Sequence, residues 1–168
     1  MQKTLYKSTK KYTINNNIFE LYVKKSPVIG RGFLLFLAFI MVALPVLGIV
    51  LNFMEGNAFH FGYIIGLGIF SLISFYFVRL FLWNTYGKEV IAFRETTVSY
   101  YVDYHYFKGN QKEINFERLS YSIVPIGFEE EQVGHLVITA SETDGIESGV
   151  NMDIDELVEL IAVLEKRL

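Results

Sequence analysis

The chain of 168 residues contains no cysteine, only three prolines and a single tryptophan. Without cysteine there is no disulfide framework, no thiolate zinc site and no cysteine nucleophile. A Walker loop, a dinucleotide-binding glycine fingerprint and a G-x-S-x-G nucleophile turn are all missing. The three histidines, His60, His105 and His135, have no metal-ligand spacing to one another or to paired carboxylates. The expectation is therefore a protein that is not an enzyme, with no catalytic residue, no metal site and no cofactor.

Charge is scarce too. Charged residues make up 20% of the chain against 52% apolar ones, where a soluble domain carries about 25% charged. Mean hydropathy is positive at +0.32. This excludes a simple soluble globule, a disordered tail and a collagen-like fibre. The deficit is local. No charge falls between Phe33 and Phe53, and none between Asn57 and Val78. At ~1.5 Å per residue each stretch spans roughly the ~30 Å hydrocarbon core of a bilayer. The flanking sequence is too small to wrap two such helices as a soluble core. The depth of the first run and the second run behind it argue against a signal peptide.

The segment boundaries read as a basic segment over 1–32, a transmembrane hairpin over 33–82 with helices near 33–53 and 58–82, and a β domain over 83–168. Glu55-Gly56-Asn57 is the expected turn. Basic residues precede the first helix at Lys3, Lys7, Lys10, Lys11, Lys24, Lys25 and Arg31, and the turn has none. The positive-inside rule then places both termini in the cytoplasm. Arg31, Arg79, Trp83 and Tyr86 are the expected membrane-interface anchors, the last two just beyond the second helix. Pro45 predicts a kink in the first helix. Gly62 and Gly66, followed by Gly68, Ser71 and Ser74, form a small-residue strip suited to close helix packing. Packing within the hairpin is favoured over a partner interface. Neither span holds an acid or a lysine, which argues against a transporter or channel.

The polar parts differ in sign. Residues 83–168 hold seven Lys and Arg against sixteen Asp and Glu. That acidity argues against nucleic acid as a partner. Residues 1–32 are basic and suit anionic lipid. They read either as a tail or as two strands, Lys11–Ile14 and Ile18–Val23, around the Asn15–Asn17 turn.

Beyond Trp83 the alternation is that of strands. Glu89–Phe93 is one, and Thr97–Phe107 is a long second one. Val98, Tyr100, Val102, Tyr104 and Tyr106 share one face; Ser99, Tyr101, Asp103, His105 and Phe107 share the other. Lys108-Gly109-Asn110 reads as a hairpin turn, with Gln111–Phe116 returning and Leu119–Pro125 following. Asp144-Gly145 reads as a turn between Gly134–Ser141 and Ile146–Met152. Glu129-Glu130-Glu131 reads as a solvated acidic loop. Asp153 and Glu156 form a capping-box pair, and Leu157, Leu160, Ile161, Leu164 and Leu168 then make one apolar helical stripe. Lys166 and Arg167 suit the helix C-terminus. The fold class is α+β: a two-helix transmembrane hairpin and an antiparallel β domain closed by a C-terminal amphipathic helix.

From Trp83-Asn84-Thr85-Tyr86-Gly87-Lys88-Glu89-Val90-Ile91 through Thr97-Val98-Ser99-Tyr100 and Ile114-Asn115-Phe116-Glu117-Arg118-Leu119 to the capped helix, the chain resembles small bacterial membrane proteins with a two-helix hairpin and a pleckstrin-homology-like domain. The resemblance covers Ser26 to Leu168 and is one of pattern and order. It implies a pleckstrin-homology-like sheet, a hairpin inserted between its strands, a bacterial inner-membrane location and a scaffold-like use. The Arg94-Glu95-Thr96 turn pairs one base with one acid, which argues against an inositol phosphate site. The expected function is a non-catalytic accessory or scaffold subunit with a membrane-protein partner or a second copy of itself. The alternative is an anionic-lipid sensor, with membrane lipids as the partner; a small membrane enzyme ranks third. Tyr101, Asp103 and His105 are the expected partner face, since tyrosine is common at interfaces.

Overall fold

The computed structural model describes residues 11–15, 17–141 and 143–167. The chain is α+β and divides into two compact units. One joins the segment up to Lys24 with Gly87 onward; the other is Lys25–Tyr86.

The second unit is a helical hairpin. Helix α1 runs Val28–Met54 and α2 runs Gly62–Tyr86. Pro27 sits at the α1 N-cap, where its missing N–H costs nothing. The helix is continuous through Pro45. Both helices are longer than the uncharged runs. Arg31 lies in the first turns of α1, and Arg79, Trp83 and Tyr86 lie within α2 rather than beyond it. Charged and aromatic residues at the end of an apolar run do not stop a helix, since arginine, tryptophan and tyrosine all accept helical backbone. The connection covers 55–61, longer than the three-residue turn expected, and Gly56 takes a φ of +76° that favours glycine. Ala38 and Ser74 are buried where the helices meet, and Ser74 Oγ donates to Ala38 O at 2.7 Å.

The first unit holds two antiparallel sheets. Strands β1 (Tyr12–Asn15), β2 (Ile18–Tyr22), β3 (Lys88–Phe93), β4 (Thr97–Asp103) and β5 (Lys108–Asn115) lie side by side in that order. β2 pairs with β3 from Ile18↔Ala92 to Tyr22↔Lys88, so the hairpin unit is inserted between two neighbouring strands. The second sheet places β7 (Val133–Thr139) between β6 (Ser120–Ile126) and β8 (Gly145–Glu147), with β9 (Met152–Asp153) also on β7. Helix α3 (Ile154–Arg167) packs on β6, β7 and β9.

Alternation selects the core. Phe19, Leu21, Ile91, Phe93, Val98 and Val102 are buried from the first sheet, and Leu136, Ile138, Ile146 and Met152 from the second. Phe19 and Phe93 meet edge-to-face at 5.2 Å. Leu157, Leu160 and Leu164 are buried along α3, while Leu168 lies outside the described residues. Glu156 does not reach back to Asp153 as the capping box requires. Its Oε1 instead accepts the Lys11 backbone N–H at 3.2 Å. Glu129–Glu131 form one 3₁₀ turn. Ile146–Met152 is not one strand but β8 and β9 with a bend between them.

The expected turn at Lys108-Gly109-Asn110 is a correction. Those residues belong to β5, and the reversal lies at 104–107, where Tyr104 N–H donates to Phe107 O at 3.0 Å. The register explains the misreading. Tyr100 faces Lys112 and Val102 faces Gly109, so Tyr101 stands opposite two residues. This is a β-bulge, with Asn110 at φ +50°. Asn favours left-handed backbone in a bulge as in a turn.

Candidate functional site

The most unusual side chain is Glu89. It takes the core-facing phase of β3 with Ile91 and Phe93, and it is 1% exposed. No cation meets it. Its Oε1 accepts from Tyr100 Oη at 2.9 Å and from Gly149 N–H at 2.6 Å; its Oε2 accepts from Ser148 Oγ at 2.5 Å. Ser148 Oγ in turn accepts the Val150 N–H at 3.1 Å. Three donors from β4 and the β8–β9 bend thus converge on one carboxylate, linking the two sheets. Burial pushes the Glu89 pKa up, against the downward pull of the three donors. Burial and the facing carboxylate push the Tyr100 phenol up as well. Ser148 and Tyr100 are themselves buried. Gly149, the third donor, belongs to an exposed residue, so the cluster is buried on the Tyr100 and Ser148 side and reaches the surface at the β8–β9 connection. Sequence spacing could not reveal Ser148 and Gly149 as partners. The readable signal was a charge in phase with Ile91 and Phe93.

A second polar group lies on the opposite face of the same sheet. Lys88 Nζ is 2.8 Å from Glu20 Oε1 and 3.8 Å from Asp103 Oδ2. Tyr22 Oη donates to Glu20 Oε2 at 2.5 Å. The Lys88 hydrogen bond, then that of Tyr22, draws the Glu20 pKa down, and Glu20 raises that of Lys88. Lys108 Nζ stands 4.2 Å over the Tyr101 ring.

The expected partner face is only partly assembled here. Tyr101 and Asp103 share the outer face of β4 and are half-buried. His105 does not continue that face. It opens the β4–β5 turn at φ +79°, its N–H held by Asp103 Oδ1 at 2.8 Å. Tyr104 is buried and stacks on Phe107 at 4.8 Å, whereas Tyr106 leaves the core face altogether and is 73% exposed. Tyr106 has no positive φ, so only the first central residue does. A positive φ is backbone that favours glycine over the His105 side chain.

Gly62 and Gly66 do not make close contact. A Cβ at either position would meet nothing within 4 Å. They line a cleft of about 240 Å³ with Pro45, Gly48, Ile49, Tyr63 and Leu67. The helices close up at Ala38 and Ser74 instead. A further cleft of about 280 Å³ runs along Pro125–Phe128, Gln132, Val133 and Ile154. Of the histidines, His135 places Nε2 2.8 Å from Glu147 Oε1, and His60 packs beside Tyr63 at 5.9 Å. Among the described residues no group of three His, Asp or Glu is placed to hold a metal ion. No family model, curated protein or solved structure matches the chain.

Proposed function

We propose that this protein is an integral membrane accessory or scaffold subunit without catalytic activity, anchored by its helical hairpin and presenting a pleckstrin-homology-like β domain to a protein partner in the cytoplasm. One observation carries the reading. α1 and α2 have mean hydropathies of 3.0 and 2.0 over their most apolar stretches, and only 6% of each stretch is buried. Phe36, Phe39, Leu44, Ile65, Ile69, Leu72 and Phe75 all turn outward. Such a surface suits lipid, where outward apolar side chains carry no penalty.

The β unit supports the topology. β2 and β3 are hydrogen-bonded neighbours, so the chain leaves and rejoins one unit around the hairpin. Two spans satisfy that condition, because they return the chain to its starting side. The basic residues before α1 favour the cytoplasm for that side. The five-stranded sheet, the smaller second sheet and the closing helix support the pleckstrin-homology-like reading, and the bacterial inner membrane follows from that resemblance. Purification of the full chain in mild detergent, followed by mass spectrometry of what accompanies it, tests the subunit reading. A stoichiometric membrane-protein partner or a defined homo-oligomer is expected. A lone monomer in every mild detergent tried would sink it.

A further inference from the structure

We propose that the cleft between the β6–β7 connection and the first turn of α3 is a docking site for a basic peptide with an apolar centre, and that its occupant is residues 1–10 of this chain. Leu5 and Tyr6 are the apolar anchors, and Lys3 and Lys7 are set against the acids around the cleft. Those ten residues lie outside the described ones. The lining residues, and the point where the segment joins, all belong to the β unit. The site therefore depends on no membrane and on no contact with the helical hairpin.

Shape and charge describe what the cleft accepts. Pro125, Ile126, Phe128, Val133 and Ile154 give its 280 Å³ an apolar lining, and none of the described residues lining it is charged. Phe128 stands at the rim with its ring 80% exposed. An apolar patch left in water beside a cleft marks a contact site. The rim is acidic. From Leu119 to Glu165 the sequence has eleven acids and no Lys or Arg. Glu130 and Glu131 are exposed on the 3₁₀ turn after Phe128, and the Glu131 carboxylate folds over Gly127, where a Cβ would collide with Oε2. Asp153 and Asp155 flank Ile154 and are exposed. An apolar floor inside an acidic rim selects cations that flank an apolar anchor.

The chain's first ten residues have that chemistry. They carry Lys3, Lys7 and Lys10 around Leu5 and Tyr6, and no acid. They also join beside the site. Lys11 N–H donates to Glu156 Oε1 at 3.2 Å, and Lys11 Nζ is 3.7 Å from Asp153 Oδ1. Glu156 Oε2 is buried with no hydrogen-bond partner among the described residues, so a donor arriving just before Lys11 is favoured there. Asp153 is followed by Ile154 of the cleft wall, whose N–H donates to Gln132 O at 2.9 Å. Val133 pairs with Asp153, and Phe128 lies five residues before Val133. At ~3.3–3.6 Å per extended residue, Leu5 and Tyr6 reach up to about 20 Å from Lys11, the order of that span. A segment tethered so closely acts at an effective concentration of roughly millimolar, so a contact of modest strength is occupied.

Photocrosslinking of the full chain tests the seating. Benzoylphenylalanine replaces Tyr6, the protein is irradiated in mild detergent with phosphatidylglycerol added, and mass spectrometry of the digest locates the new bond. Crosslinks within one chain to residues 125–133 or 153–158 are expected. They should fall severalfold in Lys3→Glu with Lys7→Glu, which leaves the cleft untouched, and in Glu130→Lys with Glu131→Lys. Salt at about 1 M, where the Debye length is ~3 Å, should weaken them as well. Crosslinks concentrated elsewhere in the chain, or cleft crosslinks that neither pair of changes lowers, overturn the proposal. Crosslinks found only between two copies give the cleft to a second chain and overturn the intramolecular seating. Label carried only to lipid puts the segment on anionic headgroups and overturns it too. If Glu130→Lys with Glu131→Lys does not fold, the Lys3 and Lys7 pair decides alone.

Discussion

Glu89 is held at some cost. A carboxylate removed from water without a cation is expensive, and three donors offset only part of that. Because burial raises its pKa, the protonated form is the one the fold prefers. Its contribution to stability is then full below the ordinary carboxylate value and lost as pH rises through the raised one. Glu89→Gln is neutral throughout. Its amide oxygen can accept from Tyr100 and Gly149, and its NH₂ can donate to Ser148 Oγ. The two proteins should be nearly equally stable in acid, with the Gln form gaining as pH climbs; urea midpoints across that range measure it. A difference that does not change with pH would show that Glu89 titrates normally. Glu89→Leu behaves differently, because each buried donor left without an acceptor costs about 1–3 kcal/mol. A loss on the order of 3 kcal/mol is expected at neutral pH. His105 stores a smaller strain, since non-glycine residues in such backbone cost about 1–3 kcal/mol. His105→Gly should raise the thermal midpoint slightly, and a lower midpoint would mean that its ring contact with Tyr106, at 4.9 Å, outweighs the strain.

At the scale of elements, α3 closes the β unit through three leucines. Truncating a buried Leu to Ala typically costs about 2–5 kcal/mol, so Leu160→Ala should lower the melting temperature of the detergent-solubilised chain by several degrees. No change would mean that α3 is undocked. The hairpin predicts the reverse at its glycines. Gly62→Leu with Gly66→Leu adds bulk where a Cβ meets open space, so the folded monomer should persist at normal yield. A collapse in yield would show that the two helices close over the cleft. These elements differ in how far they could be read beforehand. The α3 stripe and the alternation in β4 are periodic, and period is what a burial pattern imposes on sequence. The uncharged runs located both long helices, but their ends ran on to Val28 and Tyr86 because helix geometry does not stop where hydrophobicity does. The β5 bulge and the β4–β5 turn could not be told apart by composition, since Gly-Asn and His-Tyr say little about which pair reverses the chain. The strip at Gly62 and Gly66 was legible as small residues, while what faces them depends on how two helices splay.

At the scale of the whole molecule, the insertion of the hairpin between β2 and β3 dictates what can fold alone. The fragment 87–168 begins at β3 and lacks both strands before it. Its new edge would expose the backbone of Val90, Ile91 and Ala92, which β2 covers in the intact chain. An apolar edge of that kind templates aggregation. Restoring residues 1–24 through a short link gives a different outcome. Tyr22 already pairs with Lys88, and the Val23 N–H already donates to Gly87 O at 3.1 Å. Val23 and Gly87 therefore stand where the two arms of a β-hairpin would meet, so Lys24 followed by Asn-Gly closes a three-residue loop with no change in register. The expected result is a soluble monomer with a cooperative thermal transition and dispersed amide resonances, beside an 87–168 fragment that aggregates. A well-folded 87–168 fragment would show that β1 and β2 are dispensable. An aggregated fusion would show that the β unit needs its helical insert to fold.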